Sequence, residues 1–210
     1  MTGDLVFYTN PMSRGRIVRW MLEEVGEPYR TEVLEYGTTM KAPEYLSINP
    51  MGKVPAIRHG DVTVTECAAI CAYLADAFPD AGLAPPPDKR GAYYRWLFFA
   101  AGPLEAAVVN RSLGVEVTGE KEMMVGYGSY GAVLNTLERA LAEVAARGGY
   151  IASERFSAAD VYLGSHVGWG LEFGSIEQRP GFAEYAARVR DRDAWRRATQ
   201  IDEALMPAAG

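Results

Sequence analysis

The chain has 210 residues, 49% of them apolar and 23% charged, which is the balance of an ordinary soluble globular protein. That length suffices for one large domain or for two small ones sharing a continuous core. A net charge of −6 argues against a general nucleic-acid binder, and no apolar run approaches the roughly 18 residues of a membrane helix.

The opening Met1-Thr2-Gly3-Asp4 has no basic leader region, so no secretory signal is expected. Residues 5–8 (Leu-Val-Phe-Tyr) predict a short buried strand. Asn10-Pro11 then signals a helix start, the apolar positions Ile17, Trp20, Met21, Leu22 and Val25 recur at helical spacing, and Gly26 ends the run. A second strand is predicted over 30–34 and a short irregular helix over 42–46. Residues 54–58 and 62–64 predict a hairpin turning at His59-Gly60-Asp61, followed by a helix over 66–78. This order is an α/β layer over a small mixed sheet.

Residues 79–89 carry Ala84-Pro85-Pro86-Pro87, a stiff extended linker. Beyond it strand signals nearly vanish, and helices are predicted over 91–113, 122–147, 157–171 and 181–200. The division expected is therefore an α/β domain over 1–80, a proline-rich linker over 81–89 and an all-α helical bundle over 90–210. Ser157 lies three residues before Asp160, resembling a capping box with Asp in place of Glu, and Phe156 and Val161 occupy the staple positions. The basic run from 188 to 197 alternates with Asp191 and Asp193 and reads as a solvated helix face rather than a nucleic-acid patch.

Cys67 and Cys71 stand four residues apart in the helix predicted over 66–78, where bridging geometry is poor. Free thiols suit a reducing cytoplasm, the expected location. His59 and His166 have no ligand-spaced partner, so no metal is expected.

Three local motifs carry a family resemblance. Asn49-Pro50-Met51-Gly52-Lys53-Val54-Pro55 resembles the N-P-x-G-x-V-P segment of cytosolic glutathione S-transferases. Thr65-Glu66-Cys67-Ala68-Ala69-Ile70-Cys71-Ala72-Tyr73-Leu74 is similar to their E-S-x-A-I-x-x-Y-L helix start, and the Ser157 to Asp160 cap matches one in their helical domain. The resemblance covers nearly the whole chain. It implies a thioredoxin-like N-terminal domain, a helical-bundle C-terminal domain, and glutathione as co-substrate with no further cofactor.

The resemblance also implies roles. The proline after Val54 is cis in the family, so that Val54 N–H and C=O pair with the cysteinyl backbone of glutathione. The start of the following helix favours a carboxylate, which Cys67 N–H would hold while Glu66 takes the ammonium of the same γ-glutamyl residue. Cys67 departs from the family's serine and offers only a weak thiol donor. Lys53 and Lys41 are candidates for the glycyl carboxylate, and either equally reads as a solvated surface lysine.

A free cysteine thiol has a pKa of about 8.5, and lowering it by about two units takes roughly 2.7 kcal/mol. A hydrogen bond to a charged group supplies about 1.5–3 kcal/mol, and a helix N-terminus adds about 0.3–1. One hydroxyl at the first helix start is nearly sufficient. Ser13 lies there, and the run from Pro11 to Glu24 most resembles bacterial serine-type members of the chi kind, which carry Ser-Arg at this point. Arg14 is thus a second candidate for thiolate stabilisation. Tyr8, at the end of the first strand, is the rival hydroxyl.

The helix from Gly91 offers Tyr93, Tyr94, Trp96, Leu97, Phe98 and Phe99, too many apolar groups for one buried stripe. Under the resemblance Trp96, Phe99 and Arg111 line a site for a small hydrophobic electrophile, and the chain forms a homodimer. Two other readings remain open: a glutathione-dependent reductase, isomerase or lyase on the same scaffold, and a non-catalytic binding module. The absence of cysteine between Asn10 and Arg16 argues against a mixed-disulfide mechanism there, although Cys67 at a helix start leaves that objection incomplete.

Overall fold

A computed structural model describes residues 4–206. Among these, β1 (Leu5–Thr9), α1 (Gly15–Val25) and β2 (Arg30–Val33) form a βαβ unit with parallel strands. The short α2 (Pro43–Leu46) leads to the antiparallel hairpin of β3 (Ala56–His59) and β4 (Val62–Thr65), and α3 (Cys67–Ala77) follows. The strand order β2-β1-β3-β4, with β1 antiparallel to β3, is the thioredoxin-like arrangement.

Every residue of β1 is buried, because the strand is central and covered on both faces. Val6 and Tyr8 pack with Met40, Tyr45 and Ala56 on one face. Phe7 points the other way, beneath the guanidinium of Arg19 from α1. Ile17, Val18, Trp20, Met21 and Leu22 form the buried side of α1, and Ile70, Cys71 and Leu74 that of α3.

Two compact units emerge, one running through Leu83 and resuming at Arg192, the other spanning Ala84–Asp191. The boundary at Leu83 lies inside the proline-rich stretch, whose flanks form single 3-10 turns at Pro79–Ala81 and Pro87–Lys89. The difference from the expected division is at the other end. The helix predicted over 181–200 is broken into α8 (Phe182–Arg190) and α9 (Asp193–Ala204), with Arg192 extended between them. Helix α9 packs along α1 and belongs to the sheet unit.

A set of ion pairs holds this arrangement. Arg192 grips both carboxylate oxygens of Glu24 at 2.6 and 2.7 Å, and Arg197 reaches Glu23 at 3.0 Å. The arginine run at 188–197 is therefore not simply a solvated face. Arg188 lies over the Tyr150 ring and Arg190 pairs with Glu172.

The second unit is helical: α4 (Gly91–Phe99), α5 (Glu105–Ser112), α6 (Tyr130–Arg147), α7 (Ala158–Glu172) and α8. Helix α7 is buried along most of its length and contacts both α4 and α8. Two of the predicted helices need correction. The one over 91–113 widens into a π-helical segment at Ala100–Leu104, where Pro103 removes a backbone donor from the α ladder. The one over 122–147 begins only at Tyr130. Residues Gly119–Met123 form a 3-10 turn, and the Ser129 hydroxyl caps the helix by accepting from Ala132 N–H at 3.2 Å.

The capping box at α7 forms as the spacing predicts. Ser157 N–H and Oγ–H both donate to Asp160 Oδ2, at 3.0 and 2.9 Å, while Ile151 N–H and Tyr185 Oη–H donate to Oδ1 at 2.9 and 3.0 Å.

Candidate active site

Strand register brings the motif residues of the sheet unit to one edge. Ala56 pairs with both Tyr8 and Thr65. Continuing each ladder by one residue sets Pro55 opposite Thr9 and opposite Glu66. The loop after β1, the Val54-Pro55 turn and the start of α3 are thereby neighbours, although more than 50 residues separate the first from the last.

The loop after β1 is built on Asn10. Its amide donates to Leu34 C=O at 2.8 Å and its side-chain oxygen accepts from Met12 N–H at 2.9 Å. Ser13 then turns the chain into α1, its Oγ–H donating to Asn10 C=O at 2.6 Å while Oγ accepts from Gly15 N–H at 2.9 Å. Gly15 is required here, because a β-carbon would collide with Thr9 Oγ1. Ser13 is half-buried and Arg14 exposed at this helix start.

The second loop repeats the device. Asn49, also followed by Pro-Met, accepts from Met51 N–H at 3.1 Å and donates to Lys53 C=O at 2.8 Å. Tyr45 Oη–H donates to the same carbonyl at 2.5 Å, and burial pushes the Tyr45 phenol up to about 12, keeping it a donor. Lys41 Nζ spans the turn, donating to Gly52 C=O at 2.8 Å and Met51 C=O at 3.3 Å. Its ammonium is engaged in holding the loop. Lys53 is exposed, and among the described residues its ammonium has no protein partner. Asn10, Asn49 and Tyr45 were not singled out as site residues from the sequence. The repeated Asn-Pro-Met was the available signal, since asparagine side chains mimic backbone turns.

The Val54-Pro55 bond is cis, as the resemblance implied. Val54 is half-buried, and among the described residues its N–H and C=O take no hydrogen-bond partner. A main-chain donor and acceptor left open just before β3 suit a short added strand.

Glu66 precedes α3 with φ 67 and ψ 120, the one non-glycine residue with positive φ among those described. Such a backbone costs about 1–3 kcal/mol and persists only where surrounding structure imposes it. Its carboxylate is exposed and its backbone delivers the chain into the helix start. Cys67 is buried, and its Sγ–H donates to Arg14 C=O at 3.6 Å. The thiol therefore ties the start of α3 to the start of α1, a role the sequence did not suggest. Cys71, wholly buried, has its thiol pushed well above the ordinary range by desolvation, and both cysteines are free.

Tyr8 lies in the same unit but within the core cluster, its ring tilted against Tyr45 at 5.7 Å between centroids. In the helical unit Trp96 is buried and meets half-buried Phe99 edge-on at 5.2 Å. Arg111 is exposed and stacks its guanidinium on Tyr130 at 4.2 Å. Among the described residues no group of three or more His, Cys, Asp or Glu side chains converges as a metal site would, and no helix is long and apolar enough to cross a membrane.

Residues 12–77 match the family model for the glutathione S-transferase N-terminal domain. Glutathione S-transferase F14 of Arabidopsis thaliana is 28% identical over 173 residues, covering 74% of this chain and 66% of that relative, just under two thirds of its length. The fold match is longer. A glutathione transferase from Methylococcus capsulatus superposes with a TM-score of 0.77 at 27% identity, covering 95% of this chain and 99% of the other. A glutathione transferase homolog from Sulfitobacter, solved with bound glutathione, superposes with a TM-score of 0.74 at 26% identity over 98% and 100% of the two chains. Motifs, topology and both kinds of match agree: residues 12–77 match the glutathione S-transferase N-terminal domain, and the chain has the fold of glutathione transferases.

Proposed function

We propose that the protein is a glutathione S-transferase that binds glutathione in the sheet unit and activates its thiol for attack on small apolar electrophiles, a detoxifying conjugation in the cytoplasm. The observation that carries this reading is the open N–H and C=O of Val54, set by register beside the start of α3 and the loop holding Ser13. Glutathione is a short peptide, and a cysteinyl backbone laid along Val54 forms one added rung of sheet. The γ-glutamyl carboxylate meets the N–H groups at the start of α3, with Glu66 on the ammonium. Lys53 takes the glycyl carboxylate, while Lys41 braces the loop.

Sulfur activation falls to Ser13 with Arg14. The Ser13 hydroxyl hydrogen is directed at Asn10 C=O, which also accepts from Ser13 N–H at 3.0 Å. Rotation of the hydroxyl toward a thiolate leaves that carbonyl bonded and keeps the Gly15 N–H bond to Oγ. Reorientation therefore costs a single hydrogen bond. Arg14, a fixed cation at the same helix start, adds favourable charge. Tyr8 is held by its packing against Tyr45 and Ala56, which disfavours it as the activating hydroxyl.

The helical unit supplies contacts for the electrophile, with Phe99 braced by Trp96 and Arg111 held on Tyr130. Serine at the α1 start and two buried cysteines favour conjugation over thiol–disulfide exchange. A homodimer is supported by exposed apolar side chains in each unit, Met51 and Val62 in the first and Tyr94 and Phe98 in the second.

Steady-state kinetics on a panel of aryl halides, peroxides and disulfides test the reading. Aryl halides are expected to be the best substrates, and Ser13→Ala is expected to lower kcat about 10²-fold while KM for glutathione stays within about threefold. Unchanged kcat in Ser13→Ala with collapse in Tyr8→Phe reassigns the hydroxyl. Failure to be retained on immobilised glutathione points to a non-catalytic module.

A further inference from the structure

We infer that Asp202 is a positioning residue for thiol activation, fixing through Arg19 how α1 presents Ser13 and Arg14. The inference rests on the reading of those two residues given above.

Three ion pairs join α9 and the residue leading into it to α1: Arg192 with Glu24, Arg197 with Glu23, and Asp202 with Arg19. Passing down α9, the partners move back along α1, so the helices run antiparallel. The last rung lies nearest the activating end, about 6 Å of helix from Gly15 at 1.5 Å per residue.

The rungs differ in burial. Arg192 and Arg197 are 33% and 52% exposed, whereas the side chains of Arg19 and Asp202 are each 1% exposed. From Arg19, Nε donates to Asp202 Oδ1 at 3.1 Å and Nη1 donates to Thr31 Oγ1 at 2.7 Å and Tyr29 Oη at 3.1 Å. Its guanidinium also lies 4.9 Å from the centre of the Phe7 ring. One side chain thus bolts α1 to β1, β2 and α9 at once. Glu23, which accepts from Tyr29 Oη at 2.7 Å, and Arg16 are the other charges nearby.

Stability alone is a weak reason for this arrangement, because a packed apolar pair would serve as well as a buried ion pair. Among the described residues, neither Arg19 Nη2 nor Asp202 Oδ2, both buried, has a hydrogen-bond partner. A directional pair instead defines where the helix sits. Hydrogen bonds to a reacting atom need that definition, since displacement by an ångström is costly to rate. Val54 lies on another element, and the α3 start meets α1 through the Cys67 Sγ–H bond to Arg14 C=O, so the rung bears first on the α1 end that carries Ser13.

The test is the pH dependence of kcat/KM toward an aryl halide, with KM for glutathione, in Asp202→Asn, Ser13→Ala and Arg197→Gln. Asp202→Asn is expected to move the acid limb up by about one unit and to lower kcat/KM at neutral pH about tenfold, with KM for glutathione within about twofold. Arg197→Gln, at an exposed rung, is expected to move neither. An unmoved limb in Asp202→Asn beside a moved limb in Ser13→Ala overturns the positioning role and leaves the Ser13 reading intact. A moved limb in Asp202→Asn with none in Ser13→Ala overturns the Ser13 reading and leaves the positioning of the helix end. If neither moves, both are wrong. Should Asp202→Asn not fold, Thr31→Val removes one acceptor of Arg19 and no charge, and a smaller shift in the same direction is expected; no shift there is equally an overturning result.

Discussion

Asp160 in the helical unit and Asp202 in the sheet unit are both buried aspartates, and loss of water pushes both carboxyls above the ordinary range, Asp160 to about 6. Their surroundings differ. Asp160 accepts four hydrogen bonds, from Ile151, Tyr185 and twice from Ser157, so both its oxygens are satisfied. Asp202 accepts one from Arg19 on Oδ1, and its other oxygen has none among the described residues. The first carboxylate closes a local helix start. The second joins ends of the chain 183 residues apart and leaves polar atoms buried to do so. Complete satisfaction marks a folding device, whereas the half-satisfied pair marks a place where geometry takes precedence over stability.

The largest effect that can break this comparison is truncation of the long-range pair. Asp202→Ala strands a buried guanidinium and is expected to cost about 3–5 kcal/mol, read by denaturant unfolding. The double variant Arg19→Met with Asp202→Leu is expected to regain most of that loss while remaining impaired in conjugation. A double variant as unstable as the single one contradicts the idea that the pair is dispensable for stability.

A smaller effect concerns Asp160 and pH. Its carboxyl titrates near 6 in the folded chain against an ordinary value of 3.8, with desolvation as the leading cause. Between those values the unfolded state has released the proton and the folded state has not. Stability is therefore expected to fall as pH rises from about 4 to about 6 and then to level off, by up to about 3 kcal/mol. Asp160→Asn is expected to remove that slope. Midpoints of thermal unfolding across this range decide it, and a rise in stability over the window contradicts the assignment.

The two aspartates also mark what was legible in the sequence. The Asp160 cap is written within four consecutive residues, Ser157-Ala158-Ala159-Asp160, and could be read directly. The dock motif around Val54 and the α3 start were legible for the same reason, as contiguous strings whose spacing matches a family. The break between α8 and α9 was not. Asp191 and Arg192 carry no glycine or proline, and the apolar period continues on both sides. At the break the extended Arg192 grips Glu24, 168 residues earlier in the chain, a contact no local pattern signals. The late start of α6 and the π segment were missed differently. Gly119, Gly126 and Gly128 before α6, and Gly102-Pro103 within the α4–α5 stretch, were breaker signals outweighed by the helical period. At the site, Cys67 was legible as a departure from serine, but its bond to Arg14 C=O depends on two helix starts that only the folded sheet brings together.

The central claim is that the start of α1 lowers the pKa of a glutathione thiol held by a dock that α1 does not form. Ultraviolet absorbance of the bound thiolate, followed across pH in the unmodified protein and in Ser13→Ala, tests it most directly. The thiol is expected to titrate about two units below the free value of about 8.5 in the unmodified protein, and to return toward that value in Ser13→Ala with glutathione still bound. Superimposable titrations of the two proteins, or a bound thiol that titrates like free glutathione in both, contradict the account.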